Sequence, residues 1–150
     1  MRESVRIMEA SMTRATTPNV QKVTAAVIER DGRILIARRR REELLGGKWE
    51  FPGGKLESGE TMEQCLKREL REELGIETEV GEFLCSSRFV YRHMAVELLV
   101  YRASYVSGEI VLLKHDRVEW VLPEALKEYD FSEADRPVVR RLTEDFASAL

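Results

Sequence analysis

Residues 49–76 read WEFPGGKLESGETMEQCLKRELREELGI, a glycine-rich loop that runs into an acidic helix. Thr61 followed by Gln64 forms a capping box, so the helix starts there. Cys65, Leu66, Leu70 and Leu74 recur at the spacing of one apolar helix face, and Gly75 is its stop signal. Glu69, Glu72 and Glu73 stand at i, i+3 and i+4 and share another face, where like charges repel. Three glutamates alone also fit a solvated helix face. A hard divalent cation removes the repulsion, because Mg²⁺ takes oxygen ligands and commonly brings phosphate with it. Gly53 and Gly54 just upstream have no Cβ and let backbone approach a ligand closely. The loop–helix junction is therefore suited to a metal–phosphate site.

Upstream of this stretch, Val23 to Ile28 reads as a buried strand. Asp31-Gly32 marks a tight turn, and Ile34 to Ala37 reads as the partner strand. Arg38 to Arg41 with Glu42 and Glu43 reads as a charged loop. Gly46-Gly47 and Pro52-Gly53-Gly54 bracket a short apolar piece, Trp49 to Phe51. Downstream, strand-like runs fall at Glu82 to Cys85, Phe89 to Tyr91, Ala95 to Val106 and Glu119 to Val121. Pro123 to Glu128 reads as a short helix and Asp135 to Ala147 as a second long one. This order predicts an α/β (α+β) fold, a mixed sheet with helices packed on it. Residues 1–20 carry no sustained period and read as a flexible or partly helical extension, leaving 21–150 as a single domain.

The chain has 150 residues, 43% apolar and 34% charged, enough for one core. A net charge of -3 and a pI near 5.6 argue against a nucleic-acid polymer as partner. The charge is uneven: residues 57–79 hold eight Glu against Lys67, Arg68 and Arg71. Cys65 and Cys85 have no zinc-knuckle or disulfide spacing, which points to a reducing, cytoplasmic setting. Apolar runs such as Ala25 to Ile28 are far too short to span a bilayer, so no membrane partner is expected.

The pattern Gly54-x5-Glu60-x7-Arg68-Glu69-Leu70-x-Glu72-Glu73-x-Gly75-Ile76 matches all nine fixed positions of the Nudix box. Together with Trp49 to Lys55 ahead of it, the chain resembles the MutT-type Nudix hydrolases over about Lys22 to Leu142. The resemblance implies an α/β/α sandwich around a mixed sheet, and Mg²⁺-dependent hydrolysis, with Mn²⁺ as a substitute. The expected reaction splits a nucleoside triphosphate into monophosphate and pyrophosphate. The substrates considered are 8-oxo-dGTP, as in housecleaning and DNA repair, and a cytosine nucleotide such as CTP, dCTP or 5-methyl-dCTP. Two other readings are an ADP-ribose or nucleotide-sugar pyrophosphatase and a non-catalytic nucleotide-sensing module. The partner is a small nucleotide, and the chain is a monomer or homodimer.

Carried onto this chain, the family pattern puts metal ligation on the Gly53 carbonyl, Glu69, Glu72 and Glu73, with Glu69 also as base. Glu60 and Arg68 are expected as an ion pair fixing loop to helix. Lys55 reads either as a charge near the departing phosphate or as a solvated lysine. Arg39 matches a position facing the nucleotide, and Phe51 is expected at a pocket wall. Phe89 and Tyr91 fit either base stacking or core. Where many relatives carry a loop glutamate, this chain has Lys114, and Asp116 or Glu119 are the candidate substitutes. His115 reads as structural. Asp135 stands where MutT carries an asparagine. It reads either as an acceptor for an exocyclic amino group, as on cytosine, or as the N-cap of the final helix, with Pro137 in its first turn.

Overall fold

The computed structural model describes residues 20–149. Strand β1 (Val20–Arg30) turns at Asp31-Gly32, both at positive φ, into β2 (Arg33–Arg38). Two positive φ values in a two-residue loop match the right-handed twist of the flanking strands. Short strands β3 (Trp49–Glu50) and β4 (Gly53–Lys55) follow, then α1 (Met62–Leu74). The long hairpin β5 (Glu77–Tyr91) and β6 (Met94–Ser107) comes next, then β7 (Arg117–Val121) and α2 (Arg136–Ala149). The sheet runs β3-β2-β1-β6-β5, with β4 also on β1 and β7 also on β2. Among the strand pairs of the described residues β1–β6 is parallel and the others antiparallel, so the sheet is mixed, and an isolated parallel bridge joins Trp49 to Phe131.

β1 is buried on both faces, which explains its unbroken apolar run. Ala26 and Ile28 pack with Leu66, Leu70 and Leu74 of α1, whereas Ala25 and Val27 pack with Val138, Val139 and Leu142 of α2. The result is the expected α/β/α sandwich. Thr61 caps α1 through the capping box with Gln64, and Gly75 ends it at φ +70°.

Several boundaries differ from the sequence expectation. Glu82–Cys85 and Phe89–Tyr91 are parts of one strand, β5, because inward positions continue through the polar Ser87. Its register shifts between Val80 and Phe83 and again before Cys85, which hides the alternation. Arg38 ends β2 rather than opening a loop. Pro123–Glu128 is a 3-10 turn, and a second one, Glu133–Asp135, precedes α2. Val20 already belongs to β1, and the rest of the expected extension lies outside the described residues.

Candidate active site

Strand β4 and helix α1 bring the acidic cluster together. Thr24 Oγ1 donates to the Gly54 carbonyl at 3.1 Å, and β1 pairs with β4 through Ala25 and Gly53. A Cβ on Gly53 would overlap the Thr24 carbonyl, and one on Gly54 would overlap the Glu69 carboxylate. The glycine pair therefore lets Glu69 press against the loop backbone. Arg68 grips Glu60 in a two-point pair, Nε to Oε2 at 2.5 Å and Nη2 to Oε1 at 3.0 Å, and donates to the Lys55 carbonyl at 3.2 Å. The Arg68 hydrogen bonds hold the Glu60 carboxyl down at about 2. This bridge fastens the loop to the helix. The Lys55 side chain is exposed.

Glu69 and Glu73 stand one helical turn apart on the same face of α1. Burial, first, raises both carboxyls, Glu73 the more strongly, since its side chain is only 4% exposed. Glu73 Oε1 has no hydrogen-bond partner among the described residues. A buried carboxylate oxygen without a partner is costly unless a cation reaches it. Lys114 Nζ stands 3.4 Å from the other oxygen. Glu72 is turned outward, 59% exposed, and pairs with Arg68 at 3.2 Å. Consequently no three His, Cys, Asp or Glu side chains among the described residues already stand in ion-holding geometry. The donor set of buried carboxylate oxygens suits a hard cation.

Glu50 is the residue that sequence reasoning missed. It accepts from Arg39 Nη1 at 2.7 Å and pairs with His115 Nε2 at 2.8 Å. Burial opposes its charge, but the bonds from His115 and Arg39 outweigh it and hold the carboxyl below its ordinary value. Its negative charge helps to raise the carboxyls of both Glu73 and Asp135. The only signal was a glutamate set between two buried aromatics, Trp49 and Phe51. His115, 1% exposed, has the expected structural place.

Arg39 is already engaged, by Glu50 and by the Leu44 carbonyl at 2.8 Å. Arg38 pairs with Asp116 at 2.8 Å, and Glu119 meets Arg117 at 2.9 Å and Tyr129 Oη at 2.7 Å. Both candidate substitutes for the loop carboxylate are thus turned to other partners. The ring of Phe51 is 3% exposed and stacks on Phe131 at 5.1 Å, so it lies in the core beneath any pocket surface. Phe89 and Tyr91 are half-buried and stack on each other at 6.2 Å.

Asp135 is buried, and its oxygens accept from the Phe51 N–H at 3.3 Å and from Ser132 Oγ. Neither bond goes to α2, so the N-cap reading is corrected: the carboxylate ties the final turn to the loop before Gly53. Burial first, then the Glu50 charge, push its carboxyl up to about 7, against the two hydrogen bonds. A raised carboxyl favours the fold while protonated, so this contribution is complete below about pH 4 and is lost as pH rises to 7. Asp135→Asn keeps both bonds, oxygen toward Phe51 and amide toward Ser132. Denaturant melts should therefore show the variant gaining on the parent from pH 4 to 7, by on the order of 4 kcal/mol. Parallel pH curves for the two proteins would contradict this.

A family model described as NUDIX domain matches residues 23–141. A CTP pyrophosphohydrolase of Escherichia coli (strain K12) is 40% identical over 118 residues, 79% of this chain and 87% of that protein. An 8-oxo-dGTP diphosphatase of Haemophilus influenzae is 33% identical over 122 residues, 81% of this chain and 90% of its own. Among solved structures, the solution structure of the E. coli ORF135 protein superposes with a TM-score of 0.79 at 36% identity. It covers 87% of this chain and 94% of that one.

Proposed function

The chain belongs to the NUDIX domain family as a MutT-like hydrolase, and from that membership we propose that it hydrolyses a nucleoside triphosphate to monophosphate and pyrophosphate. Nudix hydrolases generally use divalent metal ions. The ion here is Mg²⁺, with Mn²⁺ able to replace it. The observation that carries the reading is the Glu69–Glu73 pair, Glu69 half-buried against Gly54 and Glu73 buried with one oxygen left without a partner. Glu69, Glu72, Glu73 and the Gly53 carbonyl are the residues that would hold the ion. When bound, it neutralises phosphate oxygens and lowers the pKa of a water. Glu69, pressed on the loop, takes the proton from the attacking water. Arg68 and Glu60 keep loop and helix in register during the step, and Lys55 offers charge to the departing pyrophosphate.

Asp135, bonded to the Phe51 backbone, sets the base end, and Arg39 with its partner Glu50 faces the nucleotide. A carboxylate there accepts from an exocyclic amino group, which favours a cytosine nucleotide (CTP, dCTP or 5-methyl-dCTP). The 40% identical CTP pyrophosphohydrolase supports the same choice. An oxidised guanine such as 8-oxo-dGTP is the second reading, because a carboxyl near 7 is partly protonated at neutral pH and then also donates. The compared relatives do not favour the ADP-ribose or sensing readings. Among the described residues no helix is long and apolar enough to cross a membrane. A cytoplasmic place, as one domain acting alone or as a homodimer, completes the proposal.

The test is pyrophosphate release across a nucleotide panel with Mg²⁺. CTP or dCTP should give the largest kcat/KM, and Asp135→Asn should shift the preference toward 8-oxo-dGTP. No turnover of any triphosphate would overturn the proposal, and an unchanged preference would remove Asp135 from base reading.

A further inference from the structure

Residues 113–115 meet Glu73 and Glu50 in turn, Leu113 through the Glu73 backbone and the next two through the carboxylates. Leu113 N–H donates to the Glu73 carbonyl at 3.1 Å, Lys114 Nζ faces Glu73 Oε2 at 3.4 Å, and His115 Nε2 meets Glu50 at 2.8 Å. The backbone bond and the buried His115 fix the stem of Lys114. Its side chain is 41% exposed. Glu73 has no closer cation among the described residues: Arg68 turns to Glu57, Glu60, Glu69 and Glu72, and Arg39 to Glu50. One ammonium thus stands at the carboxylate pair, approaching Glu73 Oε2 while Oε1 stays without a partner.

We propose that Lys114 is a tethered counter-cation of the Glu69–Glu73 pair, occupying the place of a divalent ion until one binds and thereby setting how tightly that ion is held. The inference rests on the metal-site reading above. A positive charge a few ångströms from a cation site opposes entry of the ion, and the opposition is strong where water is partly excluded. An ion held there would have to take the place of the ammonium at Glu73, which the exposed Lys114 side chain allows.

The test is Mn²⁺ binding to the nucleotide-free protein, read from the electron paramagnetic resonance signal of free Mn²⁺. Lys114→Met should tighten Mn²⁺ binding roughly tenfold, whereas Lys114→Arg should stay near the parent. In chelator, Lys114→Met should also melt lower than the parent, and saturating Mn²⁺ should restore it. A Kd for Lys114→Met within about twofold of the parent, or weaker, would overturn the inference. Glu73→Gln separates the two levels. If it loses Mn²⁺ while Lys114→Met is unchanged, only the role of Lys114 fails. If Glu73→Gln binds Mn²⁺ like the parent, the metal-site reading fails and this inference falls with it.

Discussion

Glu69→Gln and Glu73→Gln are each expected to lower turnover by about 10²–10⁴-fold, the range for losing a positioned base or its charge. Glutamine keeps the shape and length of the side chain but removes the negative charge and the ability to take a proton. The two positions fail for different reasons. Glu69 lies against Gly54 and is the proposed base, so its loss should lower kcat directly. Glu73 is the more deeply buried, so its loss should act through metal binding and be partly offset by excess Mg²⁺. Neither change should unfold the protein. Burial already disfavours the Glu73 charge, so the amide removes a destabilising group, and the metal-free variant should melt no lower than the parent. The check is pyrophosphate release as a function of Mg²⁺, with circular dichroism melts alongside. Near-normal rates in either variant would remove that residue from the proposed metal set.

Gly54→Ala should bring the second-largest loss, on the order of 10²-fold in kcat/KM. The added methyl would occupy the space of the Glu69 carboxylate. Gly54 sits in β4 with its carbonyl held by Thr24, so the loop cannot retreat easily. The side chain must give way, and a base displaced by about an ångström loses much of its effect. Because the clash is with a side chain rather than with backbone, the melting temperature should change little. Gly53→Ala is the control with the opposite outcome: its methyl would meet the Thr24 backbone and should destabilise the fold itself. A Gly54→Ala enzyme with parental kcat/KM would mean that Glu69 need not lie against the loop.

The parts legible in sequence were those set by local spacing. The capping box, the apolar face of α1, the Gly75 stop and the Asp31-Gly32 turn all depend on neighbours within a few positions. The Glu60–Arg68 bridge was legible because loop and helix are short and joined end to end. Contacts made by distant segments were not. Glu50 acquires its partner His115 from 65 positions away, and the Asp135 carboxylate bonds back to Phe51 across 84. No spacing rule reports such pairs. Lys114 stood out as a departure, yet its approach to Glu73 depends on how the segment before β7 folds over α1. β5 was split on paper because bulges interrupt its two-residue period, while hydrogen bonding to β6 carries on past them.

The parallel pairing of β1 with β6 bears on how the site comes into being. β1 meets β6 from Val20–Ala95 to Ile28–Ala103, partners 75 positions apart, and β4 hangs on the opposite edge of β1. Such ladders close late, since a long chain loop must be gathered before any contact rewards it. A ribosome-bound chain that ends before residue 95 therefore holds every glutamate of the box but lacks the strand that fixes the floor beneath it. In a chain of that length β1 would lack its partner on one side, so the strand that carries β4 and the acidic helix would still have an open edge.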